Sequence, residues 1–200
     1  MFYETKDNSH GLPHDPFKSC IVPRPIGWIT TLSREGVVNL APYSFFNGVA
    51  QNPPMVMFSS NGPEKDTLVN CEETGEFVAN LATWELRDQM NETSAQVEPA
   101  VDEFTLAELE AEPARLVKPP RVKASPIHLE CLYHQTVELP SADPERRNGV
   151  VFGRVIGIHI SDDVLTGGMV DLTKFKPIAR LGYMDYTRVD LVFTMERPVV

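Results

Sequence analysis

The sequence predicts a mainly β fold, an antiparallel barrel with a few short helices. Three observations predict it: many short strand-like runs, few helical ones, and turn signals between them at regular intervals. Seventeen prolines spread over 200 residues break the chain into short segments, because a ring-locked residue without an N–H fits neither a helix interior nor a central strand. Residues 26–32 and 37–44 read as strands flanking Ser33-Arg34-Glu35-Gly36, a hairpin turn ending in glycine. Further strands are expected over 54–60, 76–82, 127–139, 149–161 and 188–196. Along 127–139, Ile127, Leu129, Cys131, Tyr133, Val137 and Leu139 share one face, and His128, Glu130, His134 and Glu138 share the other, so one side meets a core. Helices are expected over 66–73, with Asp66 as N-cap, over 84–94 and over 105–111. No G-x-G-x-x-G or G-x-x-x-x-G-K-S/T sequence opens a helix, which argues against a dinucleotide-binding α/β sheet or a P-loop. The length fits one unit spanning 1–200.

Composition narrows the function classes. Hydrophobic residues are 42% and charged ones 23%, which suits an ordinary folded domain rather than a disordered chain. No run of about eighteen apolar residues is present to cross a bilayer. The N-terminal stretch lacks the pattern of an export or transit signal, so a cytoplasmic protein is expected. A formal charge of -10 without a Lys/Arg cluster argues against nucleic-acid binding, whereas one phosphate needs only a few local donors. Cys20, Cys71 and Cys131 have no metal-ligand or disulfide spacing and read as small core residues, with no metal site.

Four stretches carry candidate chemistry. Ser59 to Thr67 runs from a strand end through a turn into a helix start and offers hydroxyls, Lys65 and free helix amides to a phosphate; an ordinary solvated turn is the bland alternative. Pro23-Arg24-Pro25, followed by Thr30 and Thr31, holds an arginine on a stiff backbone that can aim at an anion, or simply forms a stiff surface lead-in. Asn39 to Gly48 interleaves small, polar and aromatic residues, as a flat ring slot edged by Ser44 and Asn47 requires, or as a packed aromatic pair in the core requires. His159 lies on a face with Gly157, Val155, Gly153 and Val151, opposite the more apolar Val150, Phe152, Ile156, Ile158 and Ile160; strand glycines there mark close approach of a ligand or another backbone. The stretch 180–186 is the weakest candidate, a ligand-covering loop or a polar turn.

These tracts, from PFKSCIVPRPIGWITT through NLAPYSFFNGVAQNPPMVMFSS, KDT, VKPPRVKASPIHLEC and FGRVIGIHI to IARLGY, resemble the flavin reductase-like family of FMN-binding split barrels, the group that includes flavoredoxin. The resemblance implies an antiparallel, Greek-key-type split barrel assembled as a homodimer with FMN near the interface. It implies that Thr30, Thr31, Ser44, Phe46 and Asn47 border the flavin, and that Ser59, Lys65, Asp66 and Thr67, helped by Arg24, surround its phosphate. It also implies a catalytic His159 near the nicotinamide of NADH or NADPH, with hydride passing to flavin N5. Reduced flavin then serves a redox-protein or monooxygenase partner. The alternatives are an FMN electron-transfer protein reduced by a protein partner, an oxidase of the pyridoxamine-phosphate type and a dimeric interaction module without enzyme activity. The acidic stretch 98–116 matches no nicotinamide site.

Overall fold

The computed structural model describes residues 1–62, 65–98 and 101–199. Pro63 and Glu64 of the expected phosphate turn, and Pro99 and Ala100 of the acidic stretch, lie outside the described residues. A two-residue β1 (Arg24–Pro25) leads into the expected hairpin of β2 (Gly27–Leu32) and β3 (Val38–Tyr43). Its turn closes through Gly36, whose φ of 85° is open to glycine at no steric cost, and through the Ser33 hydroxyl, which accepts from Glu35 and Val37 N–H at 3.2 Å each.

A strand absent from the sequence reading follows, β4 (Phe46–Gln51), paired with β5 (Pro54–Gly62). Helix α1 (Asp66–Thr74), β6 (Glu76–Leu81), α2 (Arg87–Glu92) and α3 (Glu103–Leu106) come next. The short pair β7 (Ala111–Glu112) and β8 (Arg121–Val122) precedes the two long strands β9 (Ile127–Leu139) and β10 (Arg147–Ile160). The chain ends with the hairpin β11 (Leu165–Thr166) and β12 (Met169–Val170), α4 (Leu172–Phe175), β13 (Ile178–Arg180) and β14 (Tyr186–Arg188). Seven strands form one antiparallel sheet in the order β3-β2-β6-β9-β10-β5-β4, while β1, β13 and β14 form a separate three-stranded sheet.

The large sheet curls so that its two ends meet. Tyr43 on β3 packs on Phe58 of β5 with ring centroids 4.9 Å apart, and Phe58 packs edge-on against Phe77 of β6 at 5.6 Å. Around these rings lies the inner core of Ile29, Val56, Leu68, Cys71, Cys131, Val151 and Val155, so α1 plugs the barrel with Leu68 and Cys71. The outer face of β2, β3 and β6 is covered too: Trp28, Leu40, Ala82, Met90, Phe104, Val122 and Ile178 make a second core. Alternate residues of β2 therefore enter different cores, Trp28 the outer and Ile29 the inner. Among the described residues no helix is long and apolar enough to cross a membrane.

Five expectations change. Residues 188–196 do not form a strand beyond Arg188: after Val189, whose N–H donates to the Pro177 carbonyl at 2.9 Å, no backbone partner is present among the described residues, and Leu191, Phe193 and Met195 are exposed. The helices expected over 84–94 and 105–111 shrink to 87–92 and 103–106. His128 and Glu130 are buried rather than on a solvated face, since the chain from β7 to β8 lies over that side of β9. On β10 the core face is the one carrying Val151, Gly153 and Val155, while Ile158 and Ile160 are exposed; a bulge between Val155 and Gly157 breaks the period of two. Cys20 is exposed, and only Cys71 and Cys131 are core residues.

Gly153 is required by the closure. A Cβ there would lie 2.3 Å from the Phe77 ring, so Gly153→Ala is expected to destabilise the fold by about 1–3 kcal/mol through overpacking. Urea unfolding checks it, and a midpoint equal to that of the unaltered chain contradicts this packing.

Candidate functional site

Two regions of the sheet meet where β3 turns into β4. Ser44 and Phe45 make the bend, and the Phe45 carbonyl accepts from Ser59 N–H at 2.8 Å, which fixes the bend beside the end of β5. From the other side comes the Phe17–Cys20 helical turn, held by Arg24. The Arg24 guanidinium donates to the carbonyls of Ile21 (2.9 Å), Leu181 (2.8 Å) and Lys18, and stands over the Phe45 ring at 5.7 Å. Burial, and then the charge of Arg180, lower its pKa.

Lys65 precedes α1 and leans over the Tyr43 ring, its ammonium 5.5 Å from the centroid. Desolvation, and then the positive charge of Lys18, hold its pKa below the ordinary lysine value. Among the described residues neither Lys18 nor Lys65 has a carboxylate partner within ion-pair distance. Unbalanced cations at one corner of a chain with net charge -10 are what an anion requires. The first turn of α1 adds to this, because the Lys65 carbonyl is taken by Leu68 and Val69 N–H while those of Asp66 and Thr67 have no described backbone partner.

The sequence-predicted residues divide accordingly. Ser44, Ser59, Lys65 and Asp66 border this corner, with the Ser59 hydroxyl donating to Asn61 Oδ1 at 2.9 Å. Thr67 lies just beneath it, buried beside Tyr43, and accepts from Asn39 Nδ2 at 2.8 Å. That amide also donates to Thr31 Oγ1 at 3.1 Å, as does Asn70, so Thr31 belongs to a closed polar network under the corner. Thr30 points to the opposite face of β2 and is satisfied by Asn80 at 2.8 Å. Both threonines are wholly enclosed. Phe46 turns inward, its ring filling the space above Gly27, where a Cβ would sit 2.4 Å away. Asn47 is exposed on the edge strand β4. Arg24 is at the corner; three carbonyls occupy its Nη donors, while its buried Nε has no hydrogen-bond partner among the described residues.

His159 is not brought to this corner. Ser59 and Ser60 pair with Val150 and Gly149 at the start of β10, and His159 is nine residues on, roughly 30 Å along a strand at 3.3 Å per residue. Its Nε2 bonds the Glu130 carboxylate, which also accepts from Arg115 and Leu116 N–H at 2.8 and 2.6 Å. Burial pushes the Glu130 pKa up, but the Arg115 amide, His159 and the Leu116 amide outweigh it and hold it below the usual value. The glycines near His159 accommodate protein: Phe77 at Gly153, and Leu116 with Glu130 at Gly157.

Sequence reasoning passed over Lys18, Tyr43 and Phe45 at the corner. The signal was present in PFKSC and APYSFF, a lysine and two aromatics beside named candidates, but their convergence needs the closed barrel. The Tyr43 phenol and the Cys71 and Cys131 thiols are raised by burial, so all three stay protonated near neutral pH.

Residues 19–179 match the sequence pattern of the flavin reductase like domain. An uncharacterized protein of Aquifex aeolicus is 37% identical over 173 residues, which cover 84% of this chain and 85% of that one. In structure, nitrilotriacetate monooxygenase component B from Bacillus cereus superposes with a TM-score of 0.90 at 30% identity, covering 98% of both chains. An FMN-binding protein from Thermus thermophilus superposes with a TM-score of 0.72 at 16% identity, covering 92% and 95%, a likeness of fold.

His128 gives a pH test. Burial first, opposed by the Val122 carbonyl and aided by Arg121, lowers its pKa from 6.5 to about 4. The unfolded chain then binds more protons between these values, so this contribution to stability is present above pH 6.5 and is lost as pH falls towards about 4. The urea midpoint is expected to drop between pH 7 and pH 5, and to drop less in His128→Gln; equal drops would contradict a buried neutral imidazole.

Proposed function

Because the chain belongs to the flavin reductase-like family, we propose that it binds FMN at the Lys65 corner and acts as an NAD(P)H-linked flavin oxidoreductase. The observation that carries this reading is the pair Lys18 and Lys65, set without carboxylate partners among the described residues beside the Ser59 hydroxyl and the first turn of α1. That donor set fits a phosphate monoester. Family membership and the FMN-binding relative of like fold support FMN as its owner.

Bound FMN supplies two-electron chemistry with a hydride donor, NADH or NADPH. The chain's own residues bind and orient. Lys65, with Lys18 behind it, would neutralise the phosphate; the Asp66 and Thr67 amides, which have no backbone partner among the described residues, would donate to its oxygens, as would the Ser59 hydroxyl on leaving Asn61. The Thr31–Asn39–Asn70–Thr67 network holds α1 at a fixed height against β2. Ser44 and Phe45 form the bend against which the ring is placed, and Asn47 lies on the open edge beyond it. No side-chain nucleophile is used, in keeping with thiols and a phenol that remain protonated. His159 stays outside this mechanism, since within one subunit it belongs to the Glu130 pair at the far end of β10.

The homodimer belongs to the same reading. Strand β4 is an uncovered edge with Asn47 to Gln51 all exposed, and a second copy seated there closes the flavin slot.

Purified protein is expected to be yellow, and anaerobic NADH or NADPH to bleach it within catalytic time. A yellow protein bleached only by a reduced redox protein supports the electron-transfer alternative, and a colourless one that takes up no FMN removes the reading. Lys65→Ala is expected to weaken FMN binding about tenfold, roughly 1.4 kcal/mol, measured by quenching of flavin fluorescence. Unchanged affinity takes Lys65 out of the site.

A further inference from the structure

We propose that the cavity between α2 and the β13–β14 hairpin is a nucleotide-phosphate site, taking a purine ring on its apolar floor and a phosphate on its arginines. The proposal rests on the flavin oxidoreductase reading for the source of that nucleotide, the ADP half of a nicotinamide donor. Its volume is about 540 Å³, within the range of about 300–1,000 Å³ usual for small-molecule sites. Trp84, Met90 and Ile178 supply apolar surface, and Arg87, Arg180 and Arg188 line the same space.

The arginines are held in an uncommon way. Arg87 and Arg188 both stack on the Trp84 ring, at 4.2 and 4.8 Å, and Arg180 stacks on Tyr186 at 4.4 Å. Stacking occupies the flat face of a guanidinium and orients the three groups before any ligand arrives. In the plane, Arg87 donates to the Trp84 carbonyl at 2.8 Å and Arg180 gives both Nη groups to Tyr186, Tyr183 and Met184, whereas Arg188, bonded through Nε to Asp190, has Nη groups with no acceptor among the described residues. Two carboxylates offset them: Asp88 at 3.1 Å from Arg87 and Asp190 at 2.7 Å from Arg188. Arg180 has no carboxylate partner among the described residues and bonds instead to Tyr186 Oη and the Tyr183 carbonyl. The cavity thus keeps an excess positive charge in an acidic chain. An apolar floor alone would suit many ligands, but an apolar floor rimmed by three fixed guanidiniums, with the Arg188 Nη groups open, suits a planar body carrying a phosphate.

Position supports the assignment. Arg180 pairs with Arg24 across β13 and β1, and Arg24 donates to the Leu181 carbonyl while standing over Phe45. The cavity therefore adjoins the bend where the flavin ring is placed. A dinucleotide seated by its ADP half on the arginines extends its other half towards that bend.

The FMN-loaded protein titrated with ADP, adenosine, inorganic phosphate and benzoate tests this, read by calorimetry and tryptophan fluorescence. Trp28 is fully buried and Trp84 is 38% exposed, so quenching by an added ligand reports Trp84. ADP is expected to bind about tenfold more tightly than adenosine, phosphate or benzoate, and Trp84→Phe to abolish the fluorescence change. Arg87→Gln and, independently, Arg188→Gln are each expected to weaken ADP about fivefold with FMN affinity and the far-ultraviolet spectrum unchanged. The proposal is overturned if ADP binds no better than adenosine or benzoate, or if both variants weaken FMN as much as ADP, which would assign the cavity to the flavin. If the protein takes up no FMN, the earlier reading fails by itself. The same ADP order in flavin-free protein then upholds the cavity, and its absence overturns it.

Discussion

Closure of the large sheet on itself is the constraint from which the rest of this molecule follows. Seven strands leave two ends, and those ends are joined by side chains: Tyr43 meets Phe58, Phe58 meets Phe77, and Phe46 lies over Gly27. Two glycines set how closely this happens, because Gly27 and Gly153 each leave room for a phenyl ring where any Cβ would collide. Once the ends meet, the β3–β4 bend, the end of β5 and the start of α1 must share one corner. The candidate site is thus a by-product of barrel closure, built from segments as far apart in sequence as Lys18 and Lys65.

A second theme is how an acidic chain arranges its charge. Its buried carboxylates cap backbone. Glu103 accepts from Leu40 N–H at 3.0 Å, although burial raises its pKa, and Glu130 receives two amides and a histidine. Both bonds tie the middle of the chain to the barrel, which gives the acidic stretch around 98–116 a structural explanation in its described residues. Two groups of cations, by contrast, cluster where the described carboxylates do not fully balance them, at the Lys18/Lys65 corner and at the arginine cavity beside α2. Local sign reversal against a net charge of -10 lets anionic ligands be held without a basic protein.

Much of the fold was legible because its signals are local. Proline punctuation, the Ser33–Gly36 turn and runs rich in Val, Ile and Thr placed the barrel strands β2, β3, β5, β6, β9 and β10 within one or two residues, since turn chemistry and strand patterning act over a few neighbours. Where partners decide, the reading failed. β4 follows a proline-broken stretch and forms only because β5 lies beside it, whereas 190–196 has the same apolar look and no backbone partner among the described residues. Alternation puts His128 and Glu130 on the face opposite the apolar one, but a distant segment covers and buries them.

The sequence by itself determined a mainly β barrel, and it marked Ser44, Ser59 and Lys65 as groups suited to a phosphate-bearing ligand, because residue type and turn position are properties of the chain. Only the tertiary structure decided which of them meet. It enclosed both Thr30 and Thr31, turned Phe46 into the core, engaged the Nη groups of Arg24 with carbonyls and carried His159 to the far end of β10. The reason is that a side chain's direction and its distance from another depend on register, bulges and sheet closure, which are set by contacts between segments remote in sequence.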